Sequence, residues 1–526
     1  MRTDLQDVVA VGEVGLSADV VIAGAGAVGL ALGVTLARDG RDVLILEAGG
    51  ESLDEAGQRL FSDVSLSGRP WGGARAGRYR VLGGTTTMWG GQVVPIEPTA
   101  MAERSWAPGG AWPIAFEDLA RWFERARALL GMDDLDTKEI WARAGGPASG
   151  DFGPGVECFL AEWLAEPNLA RLFAADISRS KALRVAAHGC VVALEFDDQQ
   201  ERVTALRVLG PRGRPIRVTG ERVVLACGTL EIVRLLSSPL ADGRRAPWSG
   251  RPWLGRGFMD HLDVSAGTLA ILDRQRFHDI FDNLFFAGRK FTPKLKLSPS
   301  AQHQHHLLGI AGHMMFDSAY REDLDNLKMF AKALTRGRAP SNLLAMPAHV
   351  LGVMRVAVPL AVRYLKSHRV LNLADRGVKF RLTAEQAPVA QSRIAITDRR
   401  DSLGLPTLDV RWTICGRELE TMAVFAELTA AALKSRGLAE LTIDPRLAGR
   451  DPAFLDQAVD AYHHMGGARM ADRPTDGVVD RDLKVHGTGN LYVAGAAVFP
   501  SASFANPTLT AIALALRLAD HLGART

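Results

Sequence analysis

The stretch DVVIAGAGAVGLALGVTLARDGRDVLILEAGG, residues 19–50, most constrains the fold of this 526-residue chain. A β-branched run leads to Gly24, Gly26 and Gly29, a helical segment follows, and a second apolar run ends at Glu47. Glycines in GxGxxG spacing between a strand and a helix are typical of a dinucleotide-binding βαβ unit. The stretch therefore predicts that the N-terminal part of the chain forms a parallel sheet that binds a nucleotide cofactor.

The three glycines have separate physical tasks. Gly24 permits the tight turn, Gly26 lets the backbone approach a pyrophosphate, and Gly29 allows close packing of helix on strand. The start of the helix adds unpaired N–H groups and a positive dipole end. Glu47 can accept hydrogen bonds from a ribose diol. The motif alone leaves FAD and NAD as alternatives.

A second glycine-rich stretch, RYRVLGGTTTMWGG, spans residues 78–91. Its amides and hydroxyls can donate hydrogen bonds along a flat ligand, although a loop of no special purpose is the plain alternative. We expect cofactor contacts here from Arg80, Gly84, Thr85, Trp89 and Gly90.

Two later segments resemble parts of the same nucleotide-binding unit. Residues 222–239 have the pattern of strand, glycine turn and helix, which indicates a return to the sheet. Residues 489–522 have the pattern of strand, turn, loop and helix, with apolar positions 509, 512, 513 and 516 forming one buried face. Pro507 would begin this helix and Thr508 would cap it. Residues 111–132 predict a separate amphipathic helix.

Bulk composition narrows the class of protein. The chain is 47% hydrophobic and 23% charged, as expected for a soluble globular protein, and its length suggests two domains. A net charge of +3 gives no reason to expect a nucleic-acid partner. No secretory signal is evident, and the four cysteines, Cys158, Cys190, Cys227 and Cys415, show no CxxC spacing. A reducing, cytoplasmic location is the expectation.

Residues 343–365 form the most membrane-like stretch, but Arg355 and Pro359 interrupt it. Basic residues flank it on both sides: Lys328, Lys332, Arg336, Arg338, Lys366, His368 and Arg369. A packed surface helix or an oligomer helix is the first interpretation. The alternative is that residues 328–369 dock on a membrane surface, a small subunit or a cytochrome.

Two histidine-rich stretches raise the question of a metal. His303, His305 and His306 lack a carboxylate or cysteine cluster with ligand spacing, and alternation along a strand accounts for them without a metal. On such a strand His303 and His305 share one face. The stretch AYHHMGGARM places His463 beside His464. The two histidines are either metal ligands, or a catalytic pair, or one catalytic residue next to a histidine without a direct role.

Matches in order over nearly the whole chain resemble the glucose–methanol–choline (GMC) oxidoreductase family. They are GAGAVG with Glu47, RVLGGTTTMWGG, VVLACGTLEIVRLL, GRGFMDH, HHMGGARM, GVVD, LKVHGTGNLYVAG and ANPTLT. Within the family, the chain resembles the bacterial branch that contains pyranose oxidases, C-glycoside oxidases, and the flavoprotein subunits of gluconate and fructose dehydrogenases.

The resemblance implies FAD as the cofactor and a mixed α/β and α+β fold. A Rossmann-like FAD-binding domain would comprise residues 1–95, 183–262 and 455–526. An interleaved substrate domain, residues 96–182 and 263–454, would be built on a large, mostly antiparallel sheet. Further FAD contacts are expected at Val191, Gly495, Asn506, Pro507 and Thr508.

The resemblance also implies the catalytic residues. The family pattern H-x-x-G-[TG]-x-x-M selects His463 and leaves His464 on an unspecified position. The second catalytic position of the family, just over forty residues later, holds Asn506, which lies 43 residues beyond His463. His464 is assigned either a structural role or a contact with substrate. No metal is expected.

One departure from the family concerns flavin attachment. Members with covalent flavin carry a histidine four residues after the second glycine of the R-x-x-GG stretch, whereas this chain has Met88 there. Because a thioether cannot form the usual histidyl link, we expect non-covalent FAD.

The reaction implied by the resemblance is oxidation of an alcohol to a carbonyl. Removing the hydroxyl proton needs a base with a pKa near the working pH, and imidazole has one. His463 is therefore assigned as the base, Asn506 as the donor that fixes the oxygen, and flavin N5 as the hydride acceptor. The expected substrate is a sugar, glycoside or other polyol.

Several alternatives remain at this stage. The substrate could be a non-sugar alcohol, or the chain could be the flavoprotein subunit of a membrane-linked dehydrogenase that passes electrons to a cytochrome or quinone. A non-catalytic flavin-binding homologue is the third interpretation. Oxygen, a quinone or another electron acceptor are all open, and so is a homo-oligomeric state.

Overall fold

The computed structural model describes residues 2–5, 15–132, 135–143, 150–210, 215–335 and 346–524. The strands are β1 (Arg2–Asp4), β2 (Leu16–Ala23), β3 (Val43–Leu46), β4 (Val64–Gly68), β5 (Gln92–Val93), β6 (Gly150–Gly153), β7 (Val156–Trp163), β8 (Leu183–Ala187), β9 (Cys190–Phe196), β10 (Val203–Leu209), β11 (Pro215–Leu225), β12 (Leu262–Ile271), β13 (Leu284–Phe286), β14 (Arg289–Leu297), β15 (Ile310–Asp317), β16 (Gly377–Ala384), β17 (Arg393–Arg400), β18 (Pro406–Trp412), β19 (Ala439–Ile443), β20 (Val459–Asp460) and β21 (Leu491–Val493). The α-helices are α1 (Ala27–Arg38), α2 (Glu55–Arg59), α3 (Pro98–Met101), α4 (Phe116–Leu129), α5 (Thr137–Arg143), α6 (Leu169–Leu172), α7 (Ala174–Arg179), α8 (Thr229–Ser237), α9 (Arg274–Phe281), α10 (Pro299–His305), α11 (Arg321–Thr335), α12 (Met346–Ser367), α13 (Arg417–Ser435), α14 (Pro445–Ala448) and α15 (Pro507–Gly523).

A first sheet contains the glycine-rich motif. Its order is β1-β8-β3-β2-β11-β10-β9, and β21 also pairs with β11. The pairs β2–β3, β3–β8, β2–β11 and β11–β21 are parallel. All four residues of β3 are buried, as expected for a central strand that is covered on both faces. The predicted strand–turn–helix–strand is therefore present, and the segment of residues 222–239 returns to the same sheet as predicted.

Helix α15 differs from the sequence expectation in two respects. It is buried on almost every side, rather than on one face, because it packs against both α1 and α4. Its N-cap is Asn506, Pro507 occupies the first turn, and Thr508 lies within the helix instead of capping it. The Asn506 side chain makes no capping hydrogen bond.

A second, antiparallel sheet has the strand order β19-β12-β16-β15-β14-β7-β5. Strands β6, β13 and β20 also belong to it and pair with β7, β14 and β12, respectively. The expected mixed fold, with a parallel nucleotide sheet and a large antiparallel sheet, is confirmed. A small third sheet, β17-β18-β4, was not expected. The domain boundaries proposed from the sequence stay a prediction.

The expectation for His303 and His305 was wrong, because these residues lie in helix α10 and not on a strand. Ser298 caps the helix by accepting a hydrogen bond from the Ala301 amide, and a proline occupies the first turn. Two of the histidines instead pack against Trp106, with ring centroids 5.2 Å (His303) and 5.1 Å (His306) from the indole. Within the described ranges, no group of three or more histidine, cysteine or acidic side chains could hold a metal ion.

The membrane-like stretch of residues 343–365 falls largely in α12, and Pro359 lies inside that helix. No helix in the described part of the chain is both long and apolar enough to span a bilayer. Of the flanking basic residues, Arg336 and Arg338 lie outside the described residues. Lys366 and His368 are exposed, whereas Arg369 is buried.

Candidate active site

The structure brings together the two residues that the sequence singled out. The Nε2 atom of His463 lies 3.0 Å from the Nδ2 atom of Asn506, although the two residues are 43 positions apart. Both side chains keep partial exposure. Tyr462, which precedes the histidine, has a φ of 61°, and Ser503, three residues before the asparagine, has a φ of 58°. Left-handed backbone at non-glycine residues is uncommon, and it clusters at functional sites.

His261 is a member of the site that the sequence reasoning did not identify. Its Nδ1 atom lies 2.8 Å from Nδ1 of His463, and the two rings meet edge to face at a centroid distance of 4.9 Å. His261 is fully buried. The residue ends the GRGFMDH stretch, so the motif was visible, but the contact across 202 residues was not.

The two contacts of His463 define how protons are arranged along the three side chains. The amide NH2 of Asn506 can only donate, so Nε2 of His463 accepts. Neutral His463 then carries its proton on Nδ1 and donates it to Nδ1 of His261. By the same rule, His261 carries its own proton on Nε2. The result is a neutral chain whose lone pair at His463 Nε2 faces the Asn506 amide.

A buried carboxylate, Asp260, holds the backbone of this arrangement. Its Oδ1 atom accepts hydrogen bonds from the amides of His261 at 2.8 Å and His463 at 2.9 Å. Its Oδ2 atom accepts from the Trp71 indole at 3.1 Å. Burial, and then the nearby Asp460, raise the pKa of Asp260 to about 7, while these donors oppose the rise. One carboxylate thus connects both histidine-bearing segments.

Gln386, which follows β16, fixes the Asp260 segment in turn. Its Oε1 atom accepts from the Asp260 amide at 2.9 Å and from the Trp412 indole at 2.7 Å. Its Nε2 atom donates to the carbonyls of Phe258 and Thr413. The buried amide is fully hydrogen-bonded, which specifies one geometry at low energetic cost.

The protonation state of His463 follows from its surroundings. Burial lowers its pKa well below the ordinary value, and the neighbouring His261 and Lys294 lower it further. Burial likewise lowers the pKa of His261 to about 4. Both imidazoles are therefore neutral at neutral pH, and His463 can act as a proton acceptor.

The pair adjoins a cavity of about 590 Å³ beside the first sheet. Most of the residues predicted to bind cofactor line it: Gly24, Gly26, Glu47, Arg80, Gly84, Thr85, Trp89, Val191, Gly495, Pro507 and Thr508, together with His463 and His464. Gly29, Gly90 and Asn506 do not line the cavity. Gly29 packs on the turn, Gly90 packs on Trp163, and Asn506 contacts His463.

Local packing around the glycine motif fits a dinucleotide. A methyl group built on Gly26 would meet no protein atom within 4 Å, so the backbone there is open to a ligand. A methyl group on Gly29 would lie 1.9 Å from the Gly24 carbonyl oxygen, so that glycine serves helix packing. Glu47 is oriented by the amides of Ala25 and Gly49, at 2.9 Å and 2.8 Å. Arg80 keeps a buried Nε without a hydrogen-bond partner among the described residues, as an anion-binding guanidinium would.

His464 points away from the His463–Asn506 contact. Its ring meets Trp71 edge to face at 5.0 Å, and its Nε2 lies 3.8 Å from Asp260 Oδ2. Burial lowers its pKa well below the ordinary value. The backbone carbonyl accepts a hydrogen bond from Thr229. These contacts agree with a structural or cavity-lining role for His464.

Residues 388–515 match the family described as GMC oxidoreductase. The fructose dehydrogenase large subunit of Gluconobacter japonicus is 23% identical over 67% of this chain and 56% of its own length. The C-glycoside 3-oxidase of Microbacterium trichothecenolyticum is 32% identical over 25% of this chain and 24% of its own length. The chain thus spans between a quarter and just over half of these curated relatives.

Solved structures agree with the fold over nearly the whole chain. A formate oxidase superposes with a TM-score of 0.58 at 16% identity and covers 97% of this chain and 99% of its own. Pyridoxine 4-oxidase from Mesorbium loti gives a TM-score of 0.56 at 17% identity and covers 96% of this chain and 99% of its own. The family match covers residues 388–515, and the likeness to these solved structures extends over the fold of nearly the whole chain.

Two alanine substitutions distinguish a glycine that the fold requires from a glycine that cofactor binding requires. Gly29→Ala places a methyl against the Gly24 carbonyl, so we expect about 1–3 kcal/mol of lost stability. Gly26→Ala meets no protein atom, so we expect an unchanged melting temperature and a protein that purifies with little FAD. Thermal melting and the flavin content per chain measure the two effects. A Gly26→Ala protein with full flavin content would contradict the assignment of this turn.

Proposed function

We propose that the chain is an FAD-dependent enzyme that oxidises a hydroxyl group of a sugar, glycoside or other polyol to a carbonyl. The observation that carries the proposal is the His463–Asn506 contact at the edge of the nucleotide-binding cavity. It combines a neutral base and a neutral hydrogen-bond donor at one point, which is what a reacting hydroxyl requires.

The substrate oxygen would lie within hydrogen-bond distance of both His463 Nε2 and Asn506 Nδ2 and would replace the direct contact between them. The lone pair of Nε2 accepts the hydroxyl proton, and the amide of Asn506 donates to the oxygen and fixes its position. His463 then carries protons on both nitrogens, and its Nδ1–H stays bound to Nδ1 of His261. The role of His261 is therefore to hold the ring and its tautomer, as a positioning residue.

FAD, when bound, supplies the acceptor for the hydride that leaves the carbinol carbon. Residues from separate segments would hold it: Gly26 and Arg80 at the phosphates and Glu47 at the ribose. Pro507 and Thr508, in the first turn of α15, line the same cavity and present a helix N-terminus to it. The side chain of Asn506 does not cap that helix, because it contacts His463.

The relatives support the substrate class. By their names, fructose dehydrogenase, C-glycoside 3-oxidase and paromamine 6'-oxidase act on sugars or sugar-containing molecules. A 2-methyl-1,2-propanediol dehydrogenase, 27% identical over 27% of this chain and 24% of its own length, acts by its name on a non-sugar diol. A non-sugar alcohol is accordingly the alternative substrate.

A second candidate function is that of a catalytic subunit that passes electrons to a partner. Helix α12 exposes Met354, Val358, Val362 and Leu365, at 60%, 69%, 44% and 77% of their surfaces. Their spacing places them along one face of the helix. The fructose dehydrogenase relative is by name a large subunit. An apolar face of this kind favours docking on a small subunit, a cytochrome or a membrane surface.

Replacing the base tests the proposed chemistry. We expect His463→Ala to slow anaerobic reduction of the bound flavin by about 10²- to 10⁴-fold, because the hydroxyl proton loses its acceptor. Stopped-flow absorbance with a panel of sugars, glycosides and alcohols measures it. His305→Ala, which changes an exposed histidine of α10, is the control and should reduce at the wild-type rate. Near-normal reduction in His463→Ala, with flavin retained, would refute the assignment.

Replacing the positioning residue gives a different pattern. We expect His261→Leu to lower the limiting rate of flavin reduction by about 10- to 100-fold, because Nδ1 of His463 loses its acceptor. The alcohol concentration at half-saturation should change little. His261→Asn, whose amide oxygen can accept the same hydrogen bond, should restore part of the rate. Equal rates in the Leu and Asn variants, at equal flavin content, would remove this role from His261.

Met88 predicts how the flavin is attached. Its side chain is 62% exposed and lines the cavity where covalent family members carry histidine. We expect acid precipitation of the holoenzyme to leave all of the flavin in the supernatant, because a thioether forms no histidyl link. Yellow, fluorescent protein in the pellet after washing would show a covalent bond elsewhere.

A further inference from the structure

One face of the second sheet carries a polar strip beside the active site. Along β14, the buried Phe291, Leu295 and Leu297 alternate with Thr292 and Lys294, which keep partial exposure. Trp163 and His313, on the adjoining strands β7 and β15, share this property, and so do Arg381 and Thr383 on β16, the strand beyond β15. Partial exposure on the central strands of a sheet means that other parts of the chain do not fully cover this face.

The strip lies next to the segment that carries Asn506. Phe159, Ala161 and Ala311, which lie on β7 and β15, form one apolar cluster with Phe504 and Ala505. Lys294 is the direct cross-strand partner of Phe159. Since Phe504 and Ala505 immediately precede Asn506, the strip adjoins the catalytic pair.

The charge of Lys294 reaches the catalytic histidines. After burial, which is the larger cause, Lys294 contributes to lowering the pKa of His463. It also contributes to lowering the pKa of His261 and of His313. The charge of Lys294 therefore disfavours protonation of all three imidazoles.

Two other cations of the strip, Arg381 and Lys296, form ion pairs with carboxylates. Arg381 lies 2.6 Å from Asp263. Lys296 lies 2.8 Å from Glu97 and 3.3 Å from Glu157. Among the described residues, Lys294 makes no ion pair, and its Nζ donates to the amide oxygen of Gln92 at 2.8 Å.

A lysine in this position lowers the stability of the fold unless an anion binds next to its ammonium group. Burial lowers the pKa of Lys294 to about 8, so the group is still largely protonated at neutral pH. Desolvating an ammonium that forms no direct ion pair opposes folding. The charge of Asp263, which already pairs with Arg381, offsets part of this effect and raises the pKa of Lys294. Gln92 occupies one of its three N–H groups, which leaves two for a ligand at this face of the sheet.

We infer that Lys294 binds a carboxylate of the substrate, so that the enzyme oxidises a hydroxy acid, such as a sugar acid, in preference to the corresponding neutral polyol. The inference rests on the proposed oxidation of a hydroxyl at His463. The substrate would bind at two points: its reacting hydroxyl between His463 and Asn506, and its carboxylate on Lys294. His313, on the neighbouring strand β15, and Arg381, on the next strand β16, add donors at the same face.

Matched pairs of compounds test the inference in the holoenzyme. D-glucuronate with D-glucose, D-galacturonate with D-galactose, and glycerate with glycerol each differ by a carboxylate in place of CH2OH. Anaerobic bleaching of the flavin gives the half-saturation concentration for each. We expect wild type to favour an acid over its neutral partner. Lys294→Met should raise the half-saturation concentration for that acid about 10- to 100-fold and leave the neutral partner within about threefold.

Equilibrium binding separates recognition from turnover. Calorimetric titration of the same acids into holo His463→Ala, and into that variant with Lys294→Met added, reports binding without oxidation. Lys379→Met removes an exposed charge from the neighbouring strand β16 and controls for net charge. We expect it to leave the acid preference intact, and Lys294→Arg to retain most of it.

The outcomes distinguish this inference from the proposed function. If neutral compounds bleach the flavin but no acid binds or bleaches it, the hydroxyl oxidation stands and the role of Lys294 is wrong. An equal effect of Lys294→Met on acid and neutral partner also overturns it. If no hydroxyl compound of either kind bleaches the flavin while acids bind through Lys294, the anion site stands and the proposed oxidation fails.

Discussion

The buried carboxylate of Asp260 is the interaction on which the catalytic arrangement depends. It accepts amide hydrogen bonds from His261 and His463, which lie 202 residues apart, and an indole hydrogen bond from Trp71. A carboxylate with several N–H donors fixes all of them at once, because leaving any of these buried groups unpaired would cost about 1–3 kcal/mol. Gln386 fixes the same segment from the end of the second sheet. The site therefore forms only when both sheets are in place.

The proposed chemistry uses a series of neutral side chains, two of which lie on the segments that the Asp260 carboxylate holds in place. His261 orients His463, His463 presents a lone pair at Nε2, and Asn506 provides a donor beside it. Neither imidazole carries a charge before the substrate arrives, since burial keeps both neutral. The positive charge that develops on His463 during proton transfer is instead met by the lone pair of His261. A neutral acceptor can hold the tautomer without adding a second charged group to the site.

Sequence patterns predicted the elements that depend on local chemistry. The glycine spacing located the cofactor turn, and the spacing from His463 to Asn506 located the pair whose contact the structure shows at 3.0 Å. Patterns failed where tertiary packing decides. Local alternation suggested a strand at His303, but Ser298 and Pro299 begin a helix there. The roles of Asp260, His261 and Lys294 depend on contacts between segments that are far apart in the sequence. Neither hydrophobic periodicity nor motif spacing predicts such contacts.

The central claim is that the carbinol C–H bond of an alcohol whose hydroxyl is held by His463 and Asn506 breaks when the flavin is reduced. The most direct measurement compares anaerobic flavin reduction by an alcohol that the enzyme accepts with reduction by the same alcohol deuterated at the carbinol carbon. The account predicts a primary isotope effect well above unity on the limiting rate in the wild-type enzyme. Equal rates of flavin reduction by the two alcohols, at saturation and across pH, would contradict the conclusion that cleavage of the carbinol C–H bond limits the rate of reduction.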